Sequence, residues 1–296
     1  MPTDSEGHPL ALLTIHAHPD DESSKGAGTV AKYAAEGVRT VLVCCTGGEQ
    51  GDILNPAMDR PEIRADLPGV RQRELDKATQ IIGYGEVLML GYRDSGMPDT
   101  EANADPASFA QAPLEDAVGR LVEIIRRVRP QVIVTYADDQ QGYPHPDHLR
   151  VFDITGPAVE AAADPGRYPD AGDAWHVAKV YYQSWSRARV LAMHEKFLEL
   201  GLTSPYDDKW FSRPAQDDRI TSRIDISEFP DVRREALMAH ATQVDPTSPF
   251  WFGLPPEVAR TVYPFDDYIL ASTSVQTELP EDDLFAGVRS TADVSG

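Results

Sequence analysis

The chain has 296 residues, enough for one large domain or two small ones with a substantial buried core. Its 27 basic and 48 acidic side chains leave a net charge of −21, which disfavours binding to nucleic acid or to an anionic membrane. No apolar stretch approaches the roughly 20 residues of a membrane helix, and the polar residues 1–9 lack a signal-peptide pattern, so we expect a cytoplasmic protein.

The first half of the chain alternates short apolar runs with segments of helical spacing. The apolar runs predict five strands, at residues 10–15, 38–45, 86–90, 131–136 and 177–183. The helical periodicity predicts four helices, at residues 24–36, 69–83, 114–129 and 146–163. This alternation is typical of a mostly parallel sheet with helices on both faces, so we expect a Rossmann-like α/β fold. Ligands of such folds bind beyond the carboxyl ends of the strands.

The second half of the chain is less regular. Helical spacing returns at residues 190–200 and 230–240, and the segment 206–220 between them is rich in aromatic and charged side chains. We interpret this half as an extension or cap of the first sheet within one domain, followed by an acidic tail that is mobile in part from residue 277. The expected boundaries are a core over about 8–184, an extension over about 185–275 and a tail over 276–296.

Two further features bear on function. The long loops 46–68 and 91–113 are unusual for a compact domain, and loops of that length are more often functional than idle. The two cysteines, Cys44 and Cys45, are adjacent within an apolar strand, so they point to opposite faces and do not suit a disulfide. We expect them to be reduced thiols in the core.

Ionisable side chains follow the first predicted strand in residues 16–22, His-Ala-His-Pro-Asp-Asp-Glu. Such groups are costly at the end of a buried strand unless a cation compensates them. Imidazole and carboxylate are normal zinc ligands, and the three-residue spacing lets His18 and Asp21 converge on one ion. Asp20 would then be free to act on a metal-bound water. His16 lies on the opposite side of the strand, where we expect structural hydrogen bonds.

A second cluster, residues 142–148 with the sequence Gly-Tyr-Pro-His-Pro-Asp-His, follows the fourth predicted strand. It again places histidines at a strand end, where a helix with Pro146 in its first turn begins. A third ligand from this cluster would complete a site with three protein ligands and one open position, which is typical of catalytic zinc.

Each cluster alone has a simpler explanation. His-Pro-Asp-Asp occurs more often as a turn with a carboxylate N-cap, and Pro146 and Asp147 make a good helix start. Because the clusters follow two strands of one predicted sheet, they support each other as a metal site. Ordinary structural roles are expected for the isolated histidines His8, His176, His194 and His240.

The two clusters resemble the motifs of the PIG-L-like (LmbE-like) superfamily of zinc-dependent N-deacetylases. The resemblance covers nearly the whole chain and includes residues 16–27, 46–58, 93–97, 142–148, 239–245 and 278–287. Residues 23–26 and 46–58 and the C-terminal half resemble the amidases that act on mycothiol S-conjugates more than the related deacetylases of mycothiol biosynthesis.

The resemblance implies a role for each motif residue. It implies that His18, Asp21 and His148 hold zinc and that Asp20 is the general base. Iron(II) would suit the same ligands. Oligomeric state stays open.

In the second cluster, the resemblance implies that His145 stabilises or protonates the tetrahedral intermediate and that Asp147 orients His145. It also implies that Tyr143 helps to polarise the carbonyl of the substrate. A carboxylate at Asp147 would favour a charged His145. The leaving amine receives its proton from Asp20 or from His145. The resemblance also implies substrate contacts for Lys25, Glu49, Arg71 and Asp94. Arg73 is a second candidate for the contact assigned to Arg71.

The activity so implied is hydrolysis of the amide bond in mycothiol S-conjugates, which yields an N-acetylcysteine S-conjugate and glucosaminyl-inositol. The partner is thus a small thiol–sugar conjugate, met in detoxification or in secondary-metabolite biosynthesis. A first alternative is deacetylation of N-acetylglucosaminyl-inositol. A second is a non-catalytic sugar- or nucleotide-binding protein, although no Gly-x-Gly-x-x-Gly follows the first strand. A serine or cysteine hydrolase is disfavoured because Gly-x-Ser-x-Gly does not occur.

Overall fold

The structure is a computed structural model that describes residues 1–138, 140 and 143–290. The strands in this part of the chain form one sheet: β1 (Ala11–His16), β2 (Arg39–Thr46), β3 (Glu86–Tyr92), β4 (Val132–Thr135), β5 (Lys179–Ser184), β6 (Ser222–Asp225) and β7 (Phe265–Thr273). Their spatial order is β3-β2-β1-β4-β5-β7-β6. Strands β1 to β5 are parallel, and β7 runs antiparallel to both β5 and β6.

Helices connect the strands and cover both faces of the sheet. The α-helices in the described residues are α1 (Asp21–Ser24), α2 (Ala27–Ala35), α3 (Pro61–Ala65), α4 (Leu67–Ile82), α5 (Glu101–Ala104), α6 (Leu114–Val128), α7 (Pro146–Ala163), α8 (Arg187–Glu199), α9 (Asp208–Ser212), α10 (Val232–Ala239), α11 (Pro249–Phe252) and α12 (Pro256–Val262). Short 3-10 turns lie at Phe109–Gln111, Pro169–Ala171 and Asp217–Arg219.

Two apolar clusters, one on each face of the sheet, hold these layers together. Leu13 of β1 packs in one cluster with Leu121 of α6 and Ile154 of α7. Leu12, which points to the other face, packs in the second cluster with Ile82 of α4. Burial of each such leucine or isoleucine contributes about 1.5–3 kcal/mol. Because both faces of β1 are covered, all of its residues are buried, and only Thr14 and His16 among them are polar.

This architecture confirms the predicted α/β fold, and β1 to β5 lie within two residues of the apolar runs. The helix predicted over residues 24–36 is instead two helices, α1 and α2. The chain turns between them at Gly26, where φ is +83° and where a Cβ would lie 2.8 Å from the hydroxyl of Tyr268. Glycine therefore ends one helix before the next begins.

The second half of the chain continues the sheet, since β7 pairs with β5 and β6 pairs with β7. Helix α8 begins earlier than the spacing over 190–200 predicts, because the hydroxyl of Ser186 caps it by accepting the N–H of Arg189 at 3.1 Å. The aromatic segment 206–220 forms α9 and the 3-10 turn Asp217–Arg219.

The tail that was expected to be mobile in part packs against the fold over the residues that the structure describes, 277–290. Leu284 and Phe285 are fully buried against the sheet. The carboxylate of Glu281 accepts hydrogen bonds from Lys179 and Tyr181 of β5. Apolar and charged anchors thus hold the chain up to residue 290, and residues 291–296 lie outside the described part.

Two other sequence expectations concern the core and the membrane. Cys44 and Cys45 are free and buried, as predicted, and burial raises the pKa of both thiols well above its ordinary value. Among the helices of the described residues, none is both long and apolar enough to cross a membrane.

Candidate metal centre and active site

The carboxyl edge of the sheet carries the candidate site. Strand β1 leads directly into His18 and Asp21, β3 leads to Asp94, and the chain after β4 reaches His145 at the start of α7. The strands that carry these segments are parallel, and they lie side by side with β2 in the order β3-β2-β1-β4, so their ends meet at one edge. The two sequence clusters, far apart in the chain, are therefore neighbours in space.

Three buried side chains aim donor atoms at one point. The Oδ2 atom of Asp21 lies 3.4 Å from Nδ1 of His18 and 3.4 Å from Nε2 of His148. Zinc–ligand bonds of about 2.0–2.1 Å in a tetrahedron place ligand atoms about 3.3–3.4 Å apart. The donor set and its spacing therefore fit a tetrahedral divalent ion with one position left for water or substrate.

The opposite nitrogen of His18 has a carboxylate partner. Its Nε2 lies 3.1 Å from Oδ2 of Asp147, and Asp147 is itself held by the N–H and hydroxyl of Ser95. A carboxylate at Nε2 keeps the proton there and leaves the lone pair of Nδ1 available for a metal. This contact orients His18 for ligation.

A second grouping of donor atoms comprises His18, Asp94 and His145. It would use Nε2 of His18, which lies 3.6 Å from Oδ1 of Asp94. That nitrogen is the one that donates to Asp147, and a protonated ring nitrogen has no lone pair for a metal. The first grouping is therefore the better metal site.

The charges around the donors favour a cation. Burial lowers the pKa of His148 to about 4, so its imidazole is neutral and ready to ligate. Burial opposes charge on His18 as well, but the carboxylates around it, first that of Asp147, outweigh burial and raise its pKa well above the ordinary value. Burial would raise the pKa of Asp21, yet Lys25 and His148 hold that pKa well below the usual range.

Asp20 adopts an unusual backbone conformation beside this site. Its φ is +112° and its ψ is −25°, in the left-handed region that non-glycine residues rarely adopt. Its Oδ2 accepts a hydrogen bond from Nη2 of Arg71 at 3.0 Å. Burial raises the pKa of Asp20, and the Arg71 cation opposes that shift. Both groups line the same cleft as the metal ligands.

Helix α4 carries Arg71 and Arg73, the two candidates for one substrate contact, and the structure places Arg71 at the site. It is buried and donates to the carbonyls of Pro19 and Gly48 as well as to Asp20. Gly48 has to be glycine, because a Cβ there would lie 2.3 Å from the guanidinium carbon. Arg73 is exposed and lies 3.4 Å from Asp66. Arg71 therefore holds Asp20 and the neighbouring loops together.

The expected pairing of His145 with the carboxylate of Asp147 is wrong. That carboxylate faces His18 and Ser95, and the contact to His145 is made instead by the backbone N–H of Asp147, which donates to Nδ1 at 3.2 Å. Burial and the neighbouring His18 lower the pKa of His145, so a neutral ring replaces the expected cation. With Nδ1 accepting, Nε2 carries the proton and is the donor.

The remaining predicted residues divide between the cleft and its support. Tyr143 is 52% exposed at the mouth of the cleft, with its ring centroid 5.7 Å from that of His148. Lys25, which pairs with Asp21, and Asp94 also line the cleft. Glu49 was predicted to contact the substrate, but it is not among the residues that line the cleft. Its carboxylate accepts the N–H of Asp94 instead and so holds the loop that carries Asp94. Gly142 lies outside the described residues.

The cleft has a volume of about 640 Å³, and two chemically different groups of residues line it. One group is polar and comprises the metal donors, Asp20 and His145. The other is an aromatic wall, which we define as Trp185 after β5, Trp210 of α9, and Phe250 and Trp251 of α11. The rings of Trp185 and Phe250 are almost parallel, at an interplanar angle of 6° and a centroid distance of 5.8 Å.

The contacts of several residues at or near the site were not predicted from the sequence. His240 does not stand alone: its Nε2 lies 2.6 Å from the carboxylate of Glu22. The ring of Tyr136 stacks on that of His148 at 4.4 Å. The hydrogen bonds expected for His16 are also absent, since neither ring nitrogen has a partner among the described residues. Burial lowers the pKa of His16 to about 4, which keeps the ring neutral. The only sequence signal for His240 was its place in the similar stretch 239–245.

Comparison with known proteins identifies the family. Residues 13–159 match the model of the family "PIG-L: GlcNAc-PI de-N-acetylase". The chain is 46% identical to a mycothiol S-conjugate amidase of Streptomyces coelicolor, with 96% of this chain and 99% of the relative covered. It is 40% identical to a 1D-myo-inositol 2-acetamido-2-deoxy-alpha-D-glucopyranoside deacetylase of Geodermatophilus obscurus, with 94% and 97% covered.

Solved structures show the same fold. The N,N'-diacetylchitobiose deacetylase of Pyrococcus horikoshii superimposes with a TM-score of 0.60 at 16% identity, covering 88% of this chain and 83% of that chain. Its low identity supports the architecture alone. The family is shown by the sequence comparisons: the chain belongs to the PIG-L (GlcNAc-PI de-N-acetylase) family and is a hydrolase of the amidase and deacetylase kind.

Proposed function

We propose that this protein hydrolyses the amide bond of mycothiol S-conjugates and releases an N-acetylcysteine S-conjugate and glucosaminyl-inositol. One observation carries the chemical part of the proposal. The donor atoms of His18, Asp21 and His148 converge with 3.4 Å spacings in a cleft that Asp20 also lines. Three buried ligands with an open fourth position are the arrangement of a hydrolytic metal site.

Zinc is the metal that we propose, and iron(II) suits the same two imidazoles and one carboxylate. When bound, such an ion lowers the pKa of a water ligand to about 7 and polarises the carbonyl of the substrate. The chain's own part is to keep His18 correctly oriented through Asp147 and to keep His148 neutral.

The other side chains of the site supply proton transfer and charge stabilisation. Asp20, held by Arg71, takes the proton of the attacking water as general base. The Nε2–H of His145 donates to the oxyanion that develops on the carbonyl oxygen, a contribution typically of about 3–4 kcal/mol. Tyr143, at the cleft mouth, adds a second donor to that oxygen. Asp20, which has taken the proton of the water, then delivers it to the leaving amine.

The choice of substrate depends on the volume and lining of the cleft and on the relatives. The relative with 46% identity is named an amidase of mycothiol S-conjugates. Such a conjugate carries a variable group on sulfur, on the acyl side of the scissile amide. A cleft of about 640 Å³ that continues from the metal donors to the aromatic wall offers room and apolar surface for that group.

A second candidate is deacetylation of N-acetylglucosaminyl-inositol, because the relative with 40% identity is named for that compound. An acetyl group has little apolar surface to place against the aromatic wall, so this reaction would make less use of those residues. Both reactions would take place in the cytoplasm, whose reducing conditions suit the two free cysteines.

Turnover of both compounds by the purified, metal-loaded enzyme separates the candidates. We expect kcat/KM for a fluorescent S-conjugate of mycothiol to exceed that for N-acetylglucosaminyl-inositol by at least about 10-fold, which corresponds to ~1.4 kcal/mol of transition-state binding. The reverse preference would overturn the substrate assignment. Absence of turnover of both would overturn the proposed function.

A further inference from the structure

The backbone of Asp20 needs an explanation, because a left-handed φ of +112° costs an aspartate free energy that surrounding contacts must offset. Arg71 holds the side chain of Asp20 but does not bond its peptide N–H. That N–H instead donates to Oε2 of Glu22, two residues along the chain, at 2.8 Å. Glu22 therefore closes a tight local loop around Asp20.

Glu22 is in turn held from a distant part of the chain. Its Oε1 lies 2.6 Å from Nε2 of His240, and both side chains are fully buried. The other nitrogen of His240, Nδ1, has no partner among the described residues. All hydrogen bonding by this buried imidazole is thus directed at Glu22, which argues against a general scaffolding role.

The C-terminal half of the chain contacts the site through His240. It follows directly after α10, which packs on α1, α2 and α4 around the first strand-end motif. A chain of two hydrogen bonds, from His240 to Glu22 and from the Asp20 N–H to Glu22, therefore connects α10 to the peptide of Asp20.

We infer that Glu22 and His240 are positioning residues that lock the left-handed peptide of Asp20 and so aim its carboxylate into the cleft. Arg71 fixes the carboxylate of Asp20 and the carbonyl side of the Pro19–Asp20 peptide, and the Glu22–His240 pair fixes the N–H side of that peptide. This inference depends on the role of Asp20 as general base in the proposed function. Misplacement of a catalytic group by about 1 Å can cost about 100-fold in rate.

The test compares His240→Leu with the conservative variant His240→Gln, whose amide can still donate to Glu22. We expect His240→Leu to lower kcat by about 10- to 100-fold, while KM and bound metal per chain stay near wild type. His240→Gln should recover most of that loss. The matched control is Thr242→Val, in the same segment 239–245. It removes a comparable buried hydrogen bond, which the Thr242 hydroxyl donates to Glu74.

A kcat for His240→Leu no lower than that of Thr242→Val would overturn the inference. So would equal impairment of the Leu and Gln variants when both are folded and metal-loaded. If His240→Leu does not fold, Glu22→Asp makes the same test, because its shorter side chain cannot reach both the Asp20 N–H and the imidazole. All variants are assayed on an amide that the wild type hydrolyses. A wild type without amide hydrolysis would overturn the proposed function and this inference with it, whereas the variant results above, obtained with an active wild type, would overturn the inference alone.

Discussion

The two nitrogens of His18 face two different carboxylates: Nδ1 lies 3.4 Å from Oδ2 of Asp21, and Nε2 lies 3.1 Å from Oδ2 of Asp147. One carboxylate is placed as a fellow metal ligand, and the other determines which nitrogen keeps the proton. The metal affinity of the site thus depends on a residue that is not itself in the donor set.

Asp147→Asn tests this dependence. The amide keeps its oxygen toward Nε2 because that oxygen also accepts the N–H of Ser95, but a neutral oxygen is a weaker acceptor than the carboxylate. It therefore holds the proton on Nε2 less firmly and makes Nδ1 a poorer ligand. We expect metal affinity to fall by about 10- to 100-fold, measured by competition with a chromogenic chelator, and activity to return partly at high metal concentration. Asp153→Asn, an exposed change on the same helix, is the control. Wild-type metal affinity in Asp147→Asn would refute this role.

The pH dependence of activity should report on Arg71. Its cation lowers the pKa of Asp20, so Arg71→Met should raise that pKa and leave less of the deprotonated base at a given pH. The acidic limb of the kcat/KM profile should therefore move to higher pH. Arg73→Met, which removes an exposed arginine from the same helix, should leave the limb in place. An unmoved limb in Arg71→Met would mean that Asp20 is not the group that titrates there.

Trp185→Leu tests the aromatic wall. We expect KM for an S-conjugate with a flat aromatic substituent to rise by about 10-fold, since stacking and apolar contact worth ~1.4 kcal/mol are lost. KM for the S-methyl conjugate should change less than twofold, and this small substrate is the internal control. An equal effect on both substrates would place the S-substituent elsewhere.

The stability of the fold should depend on Lys179. Its ammonium pairs with Glu281 where both side chains are completely buried, and it also donates to the carbonyl of Ala286 at 2.7 Å. Lys179→Met leaves the Glu281 charge uncompensated and should lower the free energy of unfolding in urea by about 3–5 kcal/mol. Lys196→Met, which breaks an exposed pair with Glu199, should cost about 0–1 kcal/mol. Equal losses would contradict this assignment.

Strands β1 and β2 of the parallel half were predictable because they are buried on both faces, so most of their residues are apolar. The antiparallel strand β7 was not predictable, since its first residue, Phe265, is followed by two buried aspartates, Asp266 and Asp267, which are depleted in strands. Both aspartates are tolerated in the strand because Arg233 pairs with Asp266 and Arg223 pairs with Asp267. The spacing of residues along the chain cannot reveal these ion pairs.

The same reasoning applies to the site. The metal donors were predictable because strand ends bring His18, Asp21 and His148 to one edge of the sheet. The contact of Asp147 with His18 was not, because the direction of a helix-start carboxylate depends on loop 91–113, where Ser95 binds it. The partner of Glu22 lies 218 residues away in sequence and follows no motif spacing.

Metal content measured together with turnover tests the central claim most directly. We predict about one zinc or iron ion per chain in the purified wild type and in Asp20→Asn, which should nevertheless lose most of kcat. His18→Ala and His148→Ala should lose both metal and turnover. Full metal occupancy in His148→Ala, or near-normal kcat in Asp20→Asn, would contradict the account.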